Sequence, residues 1–179
     1  MIIALAGRRI DAPDAEKKRF PLEMKDTVYV RIRDFFHKYN VKVLVSSAAC
    51  GADLLALKAA RELGIERHII LPFGREKFRK TSVTDRPGDW GELFDEICDE
   101  AERDGNLIIL EGFENTEEKA YSAVTTEILE YAENLQSNDK KILAVAVWEG
   151  KAKNNRDETA AFAEKANRQN IEVKEILTV

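Results

Sequence analysis

Short apolar runs alternate along the chain with longer amphipathic segments, and this alternation is the feature that most restricts the fold. The apolar runs are rich in β-branched residues, which is typical of strands; they cover residues 2–6, 41–45, 68–71, 107–110, 142–147 and 171–177. The amphipathic segments place apolar residues three or four positions apart, as helices do; they cover residues 22–38, 52–63, 90–103, 116–135 and 157–170. Such alternation predicts right-handed βαβ crossovers and a parallel sheet.

The first and fifth runs are almost wholly apolar, as expected of strands that helices cover on both faces. We therefore predict an α/β fold of the Rossmann-like type, with three layers (α/β/α) and a mostly parallel sheet of about six strands. The chain length of 179 residues fits a single domain over residues 1–179. Ligands of such folds bind beyond the carboxyl ends of the strands, so the functional residues are expected there.

Composition excludes several classes of function. Hydrophobic residues make up 44% and charged residues 34% of the chain, the balance of a globular protein. No apolar run is long enough to cross a bilayer, so we expect a cytoplasmic protein without membrane contact. The net charge of −5 makes nucleic acid an improbable partner. The two cysteines, Cys50 and Cys98, lack the spacing of a zinc site, so we expect neither a metal nor a cofactor.

The first candidate motif is Gly7-Arg8-Arg9, directly after the first predicted strand. A glycine lets the backbone turn closely, and two arginines offer charge-assisted donors to an anion. The alternative is a strand-exit glycine followed by solvated arginines. Both interpretations remain open from the sequence alone.

The second candidate is the passage from the second strand into the following helix, residues 45–56. Its small side chains would expose backbone N–H groups at the positive end of the helix dipole, which suits a phosphate. Ser46 and Ser47 add hydroxyls, and Gly51 provides the turn. Asp53 falls in the first helical turn, either as a carboxylate that complements the dipole or as an acceptor for a ribose hydroxyl. Neither GxGxxG nor GxxxxGK[ST] is present, which disfavours a typical dinucleotide fold or P-loop.

Four segments in order, residues 7–9, 46–53, 71–73 and 146–150, resemble the motifs of the SLOG superfamily. That group is related to the LOG cytokinin-activating phosphoribohydrolases and to the Rossmann-like domain of the DNA-processing protein A. The resemblance implies a nucleotide or nucleotide-derived ligand over the sheet edge, often in bacterial signalling or defence. It also implies a possible homodimer.

The chain departs from the SLOG pattern at residues 154–159, which keep a threonine, Thr159, but lack the glycines of the relatives. Arg156 is a candidate replacement for the lost backbone donors. Glu158 lies beside Thr159 much as LOG enzymes place a catalytic glutamate, although an acidic residue at a helix start is favoured by the dipole anyway. Trp148, at the end of an apolar strand, either forms a wall for a base or fills the core.

Residues 75–89 form a long polar stretch, which we interpret as a mobile flap or a solvated loop. Phe73, just before it, either anchors this stretch or contributes to the ligand site. With four basic residues between 75 and 80, the stretch is also a candidate to close over a phosphate.

Three functions follow. The first is a binding module that senses a nucleotide-type ligand, which the absence of a clear acid, base and nucleophile set favours over an enzyme. The second is a hydrolase of N-glycosidic bonds in nucleotides, with Glu158 or Glu149 as the catalytic carboxylate. The third is a scaffold that has kept the fold and lost the site.

Overall fold

The strands of the structure form one parallel sheet in the order β4-β3-β2-β1-β5-β6. This computed structural model describes residues 1–113, 116–137, 141–153 and 157–179. The strands are β1 (Ile2–Gly7), β2 (Val43–Ser46), β3 (Glu66–Leu71), β4 (Leu107–Ile109), β5 (Ile142–Trp148) and β6 (Val173–Leu177). The helices are α1 (Lys25–Lys38), α2 (Ala52–Glu62), α3 (Arg75–Phe78), α4 (Gly91–Arg103), α5 (Glu117–Asn134) and α6 (Glu158–Arg168). The predicted three-layer, Rossmann-like α/β fold is confirmed.

Strand order places a topological switch point between β1 and β5. From β1 the chain adds β2, β3 and β4 on one side, and it then returns to add β5 and β6 on the other side. At the carboxyl end Gly7 pairs with Val147, and Leu5 pairs with Ser46. Helices leave such a point in opposite directions, which opens a crevice there for a ligand.

Both faces of the sheet are buried, which accounts for the unbroken hydrophobicity of the central strands. In β1, Ile3 and Leu5 face a core shared with α1, α2 and α4. Ile2 and Ala4 face the opposite core, shared with α5 and α6. The two cores hold the strand ends rigidly, so residues just after the strands can be positioned for binding.

Residues 75–89 are more ordered than the sequence indicates. α3 covers Arg75–Phe78, and a π-helical turn, Arg79–Val83, follows it directly. Phe78 and Val83 are buried and pack into the core, which ties this segment to the body of the protein. Residues 75–83 of the expected flap therefore form a packed helical segment. π-Helical turns of this kind often lie at functional sites.

Within the described ranges, no helix combines the length and the apolar character that crossing a membrane requires.

Candidate functional site

A cleft of about 610 Å³ opens at the carboxyl end of the sheet, at the switch point between β1 and β5. This volume suits a ligand of nucleotide size. The end of β1 and the loop after it form the floor, α2 forms one wall, and α5 with the start of α6 forms the other. Its polar described lining residues are Arg8, Arg9, Asp11, Lys17, Arg19, Ser47, Asp53, Thr81, Ser82, Arg86, Tyr121, Thr125, Lys153, Asp157, Glu158 and Thr159.

Arg8 is the centre of a buried ion-pair network beneath this cleft. Its Nε donates to Glu149 Oε2 at 2.6 Å, its Nη1 donates to Asp157 Oδ1 at 2.6 Å, and its Nη2 donates to the carbonyl oxygen of Lys151 at 2.8 Å. Only 2% of the Arg8 side chain is exposed. Every guanidinium nitrogen of Arg8 therefore already donates to a protein acceptor, and the residue joins β1 to the segments that follow β5.

Glu149 extends this network to the loop between β1 and α1, because its second oxygen accepts from Arg19. Burial alone would raise the pKa of Glu149, but the hydrogen bonds from Arg8 and Arg19 outweigh it and lower that pKa. Glu149 is thus held as a carboxylate with both oxygens occupied. A charged, fully partnered carboxylate supports the site rather than accepting a proton.

Asp157 closes the network at the start of α6, where it is the N-cap residue. Its Oδ1 accepts from the backbone N–H groups of Thr159 and Ala160, and its Oδ2 accepts from the N–H of Lys153. Burial opposes the charged form, but these bonds and the one from Arg8 lower the pKa of Asp157 overall. Asp157 therefore orients α6 and the side chains of its first turn.

Asp53 lies in the first turn of α2 on the cleft wall, with 7% of its surface exposed. Oδ2 accepts from the N–H of Ala49 at 3.2 Å. Oδ1 is buried and has no hydrogen-bond partner among the described residues. Burial raises the pKa of Asp53 to about 7, against the weaker effects of the backbone N–H of Ala49, the charge of Arg9 and the backbone N–H of Gly7. An unpartnered buried oxygen is unfavourable for folding alone.

Asp53→Asn should therefore stabilise the protein more at high pH than at low pH. Between the ordinary pKa of an aspartate and about 7, the unfolded chain releases the proton that folded Asp53 keeps, so wild-type stability falls as pH rises through this window. Asparagine does not titrate. From about pH 5 to about pH 8 the variant should gain on the order of 2 kcal/mol over wild type, measured by urea unfolding.

The matched control for this prediction is Asp26→Asn, at an exposed carboxylate in the first turn of α1. It should change the free energy of unfolding by less than about 0.5 kcal/mol at either pH. A pH-independent difference between Asp53→Asn and wild type would show that Asp53 is not a strained buried acid.

Glu158 faces the cleft from the opposite wall, where its Oε2 accepts from the Thr125 hydroxyl at 3.1 Å. Burial and the charge of Asp157 raise its pKa, while the Thr125 hydrogen bond opposes the rise. The cleft thus contains two carboxyl groups with raised pKa values, Asp53 on the α2 side and Glu158 on the α6 side. Environments of this kind suit proton transfer or hydrogen-bond recognition.

The basic lining residues differ in how far the protein neutralises them. Arg9 donates to both carboxylate oxygens of Asp85, from Nη2 to Oδ2 at 2.9 Å and from Nη1 to Oδ1 at 3.2 Å. Arg86 Nε lies 3.4 Å from Oδ2 of the same carboxylate. Lys17 and Lys153 are exposed, and neither ammonium has a hydrogen bond or an ion pair with any described residue. Two ammonium groups of the lining are therefore not bound to a carboxylate of the described residues, and desolvation together with the charge of Arg8 lowers the pKa of one of them, Lys153.

The backbone at the start of α2 is less available to an anion than the sequence indicates. The N–H of Cys50 donates to the carbonyl of Ser82 at 3.0 Å, and the N–H of Ala52 donates to the carbonyl of Arg8 at 3.0 Å. With the Ala49 N–H on Asp53, three donors of this junction are occupied within the protein. The lysines are therefore the better anion donors in this cleft.

The structure brings together some of the residues that the sequence predicts and separates others. Those lining the cleft are Gly7, Arg8, Arg9, Ser47, Asp53, Glu158 and Thr159. The described candidates outside the lining are Ser46, Gly51, Phe73, Trp148 and Glu149. Phe73 packs against Phe78 and Tyr121, and Trp148 lies buried beneath the Arg8 guanidinium, 5.5 Å from ring centroid to Cζ. Arg156 lies outside the described residues.

Sequence reasoning missed several lining residues. Lys17 and Arg19 come from the long loop between β1 and α1, which carries no recognisable motif. Ser82 comes from the π-helical turn, and its hydroxyl hydrogen bonds to that of Tyr121 at 2.8 Å, which joins this turn to α5. Of the missed residues, Asp157 could have been found from the sequence. It stands at the start of a predicted helix, and aspartate is a preferred N-cap residue.

Fold and cleft together define a Rossmann-like α/β protein with a ligand-sized crevice at its topological switch point. Comparison of the chain with protein-family models, with curated proteins and with solved structures found no match.

Proposed function

We propose that the chain binds a nucleotide-type ligand in the switch-point cleft, with the phosphate at the cleft mouth. The observation that carries this proposal is the pair of exposed ammonium groups, Lys17 and Lys153, that line a cleft of about 610 Å³ without a hydrogen bond or ion pair to the described residues. A phosphate gains charge-assisted hydrogen bonds from ammonium groups placed in this way. The resemblance of residues 46–53 to SLOG domains favours the same class of ligand.

The remaining surfaces of the cleft suit the rest of such a ligand. Val124 and Ile128 of α5 give one side of the cleft a small apolar surface. Their side chains are only 5% and 2% exposed, so a planar base would pack against this surface mainly through van der Waals contact. The hydroxyls of Tyr121 and Thr125 lie along the same wall and can bond to polar edges. A binding module that senses nucleotides needs these features and no cofactor.

The test is isothermal titration calorimetry and thermal unfolding with AMP, ADP and cyclic di-AMP as probes. A ligand that binds the folded state raises its apparent stability by mass action. We expect at least one probe to bind, and we expect the double variant Lys17→Gln/Lys153→Gln to weaken it by about tenfold or more, since each lost charged hydrogen bond is worth on the order of 1 kcal/mol.

The matched control is Lys18→Gln/Lys141→Gln, which removes two exposed lysines outside the cleft lining. It should bind as wild type does. Equal weakening in the two double variants, or no binding of any probe, would contradict the proposal. Release of a free base during incubation, abolished by Glu158→Gln, would make the site hydrolytic and assign the half-buried Glu158 as its carboxylate.

A further inference from the structure

The unpartnered oxygen of Asp53 indicates what the cleft requires of its ligand. Asp53 is 93% buried, yet its Oδ1 lacks a donor within the described part of the chain. Such an oxygen is satisfied when a ligand brings a hydrogen-bond donor to it. Arg9, whose charge acts on Asp53, directs both of its terminal guanidinium nitrogens elsewhere, to Asp85 and to the carbonyl oxygen of Thr81.

Position within the cleft restricts which part of the ligand reaches Asp53. The apolar wall of Val124 and Ile128 lies on the α5 side, whereas Asp53 lies on the α2 side, across the end of β1. A base that covers the apolar wall is directed away from Asp53. The lining at the end of β1 and just before α2 includes small residues, Ala6, Gly7 and Ala49. A sugar that links the base to the phosphate fits this middle position.

The chemistry of the donor follows from the carboxyl group itself. Because burial raises the pKa of Asp53 to about 7, both its ionised and its protonated forms are populated near neutrality. In the acid form the proton belongs on Oδ1, because Oδ2 accepts from the N–H of Ala49. An amino N–H only donates, so it satisfies Oδ1 in the carboxylate but not in the acid. A hydroxyl donates to the carboxylate and accepts from the acid, so it satisfies both forms.

We propose that Asp53 is a specificity-determining residue that hydrogen bonds through Oδ1 to a ribose hydroxyl, so that the cleft prefers ribonucleotides to deoxyribonucleotides. This inference rests on the proposed nucleotide-binding function. A site built around a hydroxyl rejects the analogue that lacks it, since the buried polar group is then left unpaired. Asp53 thus supplies selectivity between ligands, whereas Lys17 and Lys153 supply affinity for any phosphate.

The experiment compares the dissociation constants of AMP, 2′-deoxy-AMP and 3′-deoxy-AMP by calorimetry at constant ionic strength. These probes differ by single hydroxyls, so the phosphate and base contacts remain the same. For wild type we expect one of the two deoxy compounds to bind at least about tenfold more weakly than AMP. For Asp53→Ala, AMP should bind as weakly as that deoxy compound, and the preference should disappear.

Two further variants guard against a general effect on the fold. Asp53→Asn keeps an acceptor oxygen at the same place and should retain part of the preference. Asp26→Asn, in the first turn of α1 and outside the cleft lining, should retain all of it. Equal binding of AMP and both deoxy compounds by wild type would overturn the inference and leave nucleotide binding intact. An undiminished preference in Asp53→Ala would also overturn it. If AMP and both deoxy compounds fail to bind, this inference is overturned, and the titrations with ADP and cyclic di-AMP show whether the proposed function fails with it.

Discussion

Arg8→Leu should lower the free energy of unfolding by about 3–5 kcal/mol, the range for removing one partner from a buried ion pair. The leucine leaves Glu149 and Asp157 without their common cation, and only 5% and 1% of their side chains are exposed. Both carboxylates must then stay charged in a poorly solvated place or take up a proton. Chemical unfolding in urea at neutral pH measures the loss.

Arg75→Leu is the matched control, because Arg75 also bridges two carboxylates, Asp99 and Glu102. There the partners are 63% and 65% exposed, so water replaces the lost charge. The expected change is about 0–1 kcal/mol. A loss of less than about 1 kcal/mol in Arg8→Leu would mean that the network relaxes or hydrates when its cation is removed.

Arg8 also connects the elements that form the cleft at the switch point. A single guanidinium connects the end of β1, the exit of β5 and the N-cap of α6, and Glu149 adds the loop between β1 and α1 through Arg19. The elements on both sides of the switch point are therefore tied together under the cleft. Arg8 thus holds the walls of the site together, and its guanidinium is committed to protein acceptors.

Sequence alone was sufficient for the architecture because the signals that determine it are local. β-branched runs and helical periodicity are visible within a few residues, and the observed strands and long helices lie within about three residues of the predicted ones. The carboxyl-end location of Gly7, Ser47 and Asp53 follows from the same reasoning, since parallel strands bring their ends to one edge. These residues line the cleft as the α/β prediction implies.

The partners of the charged residues could not be predicted in this way. Arg8 meets Glu149 and Asp157 across 141 and 149 residues of sequence, and no local pattern encodes such a pairing. The same holds for Lys17, which resembles any solvated loop lysine until the fold places it at the cleft. From the sequence, Arg8 is interpreted equally well as an anion donor or as a solvated surface residue. The structure instead places it inside the protein, as the common cation of two buried carboxylates.

Gly51→Ala should destabilise the protein by about 3 kcal/mol or more, because the residue lies in a backbone region that essentially only glycine adopts. Its φ is 102° and its ψ is −125°. An added Cβ would lie 2.7 Å from the carbonyl oxygen of Arg8 and 2.8 Å from the backbone nitrogen of Ile10. Both neighbours are backbone atoms, so relief requires α2 to move away from the loop after β1. Urea unfolding measures the loss.

Gly64→Ala separates backbone strain from steric contact. Gly64 also has a positive φ, of 65°, but no atom lies within 4 Å of the Cβ that alanine would add. Gly64→Ala should cost only about 1 kcal/mol, the strain of a left-handed residue.

The close approach at Gly51 also brings the start of α2 to the cleft, where the N–H of Ala52 donates to the carbonyl oxygen of Arg8 and Asp53 lies on the wall. Gly51→Ala should therefore weaken AMP binding as well as folding, while Gly64→Ala should leave binding unchanged. Similar losses of stability in the two variants would mean that backbone strain alone, and not this contact, requires glycine at position 51.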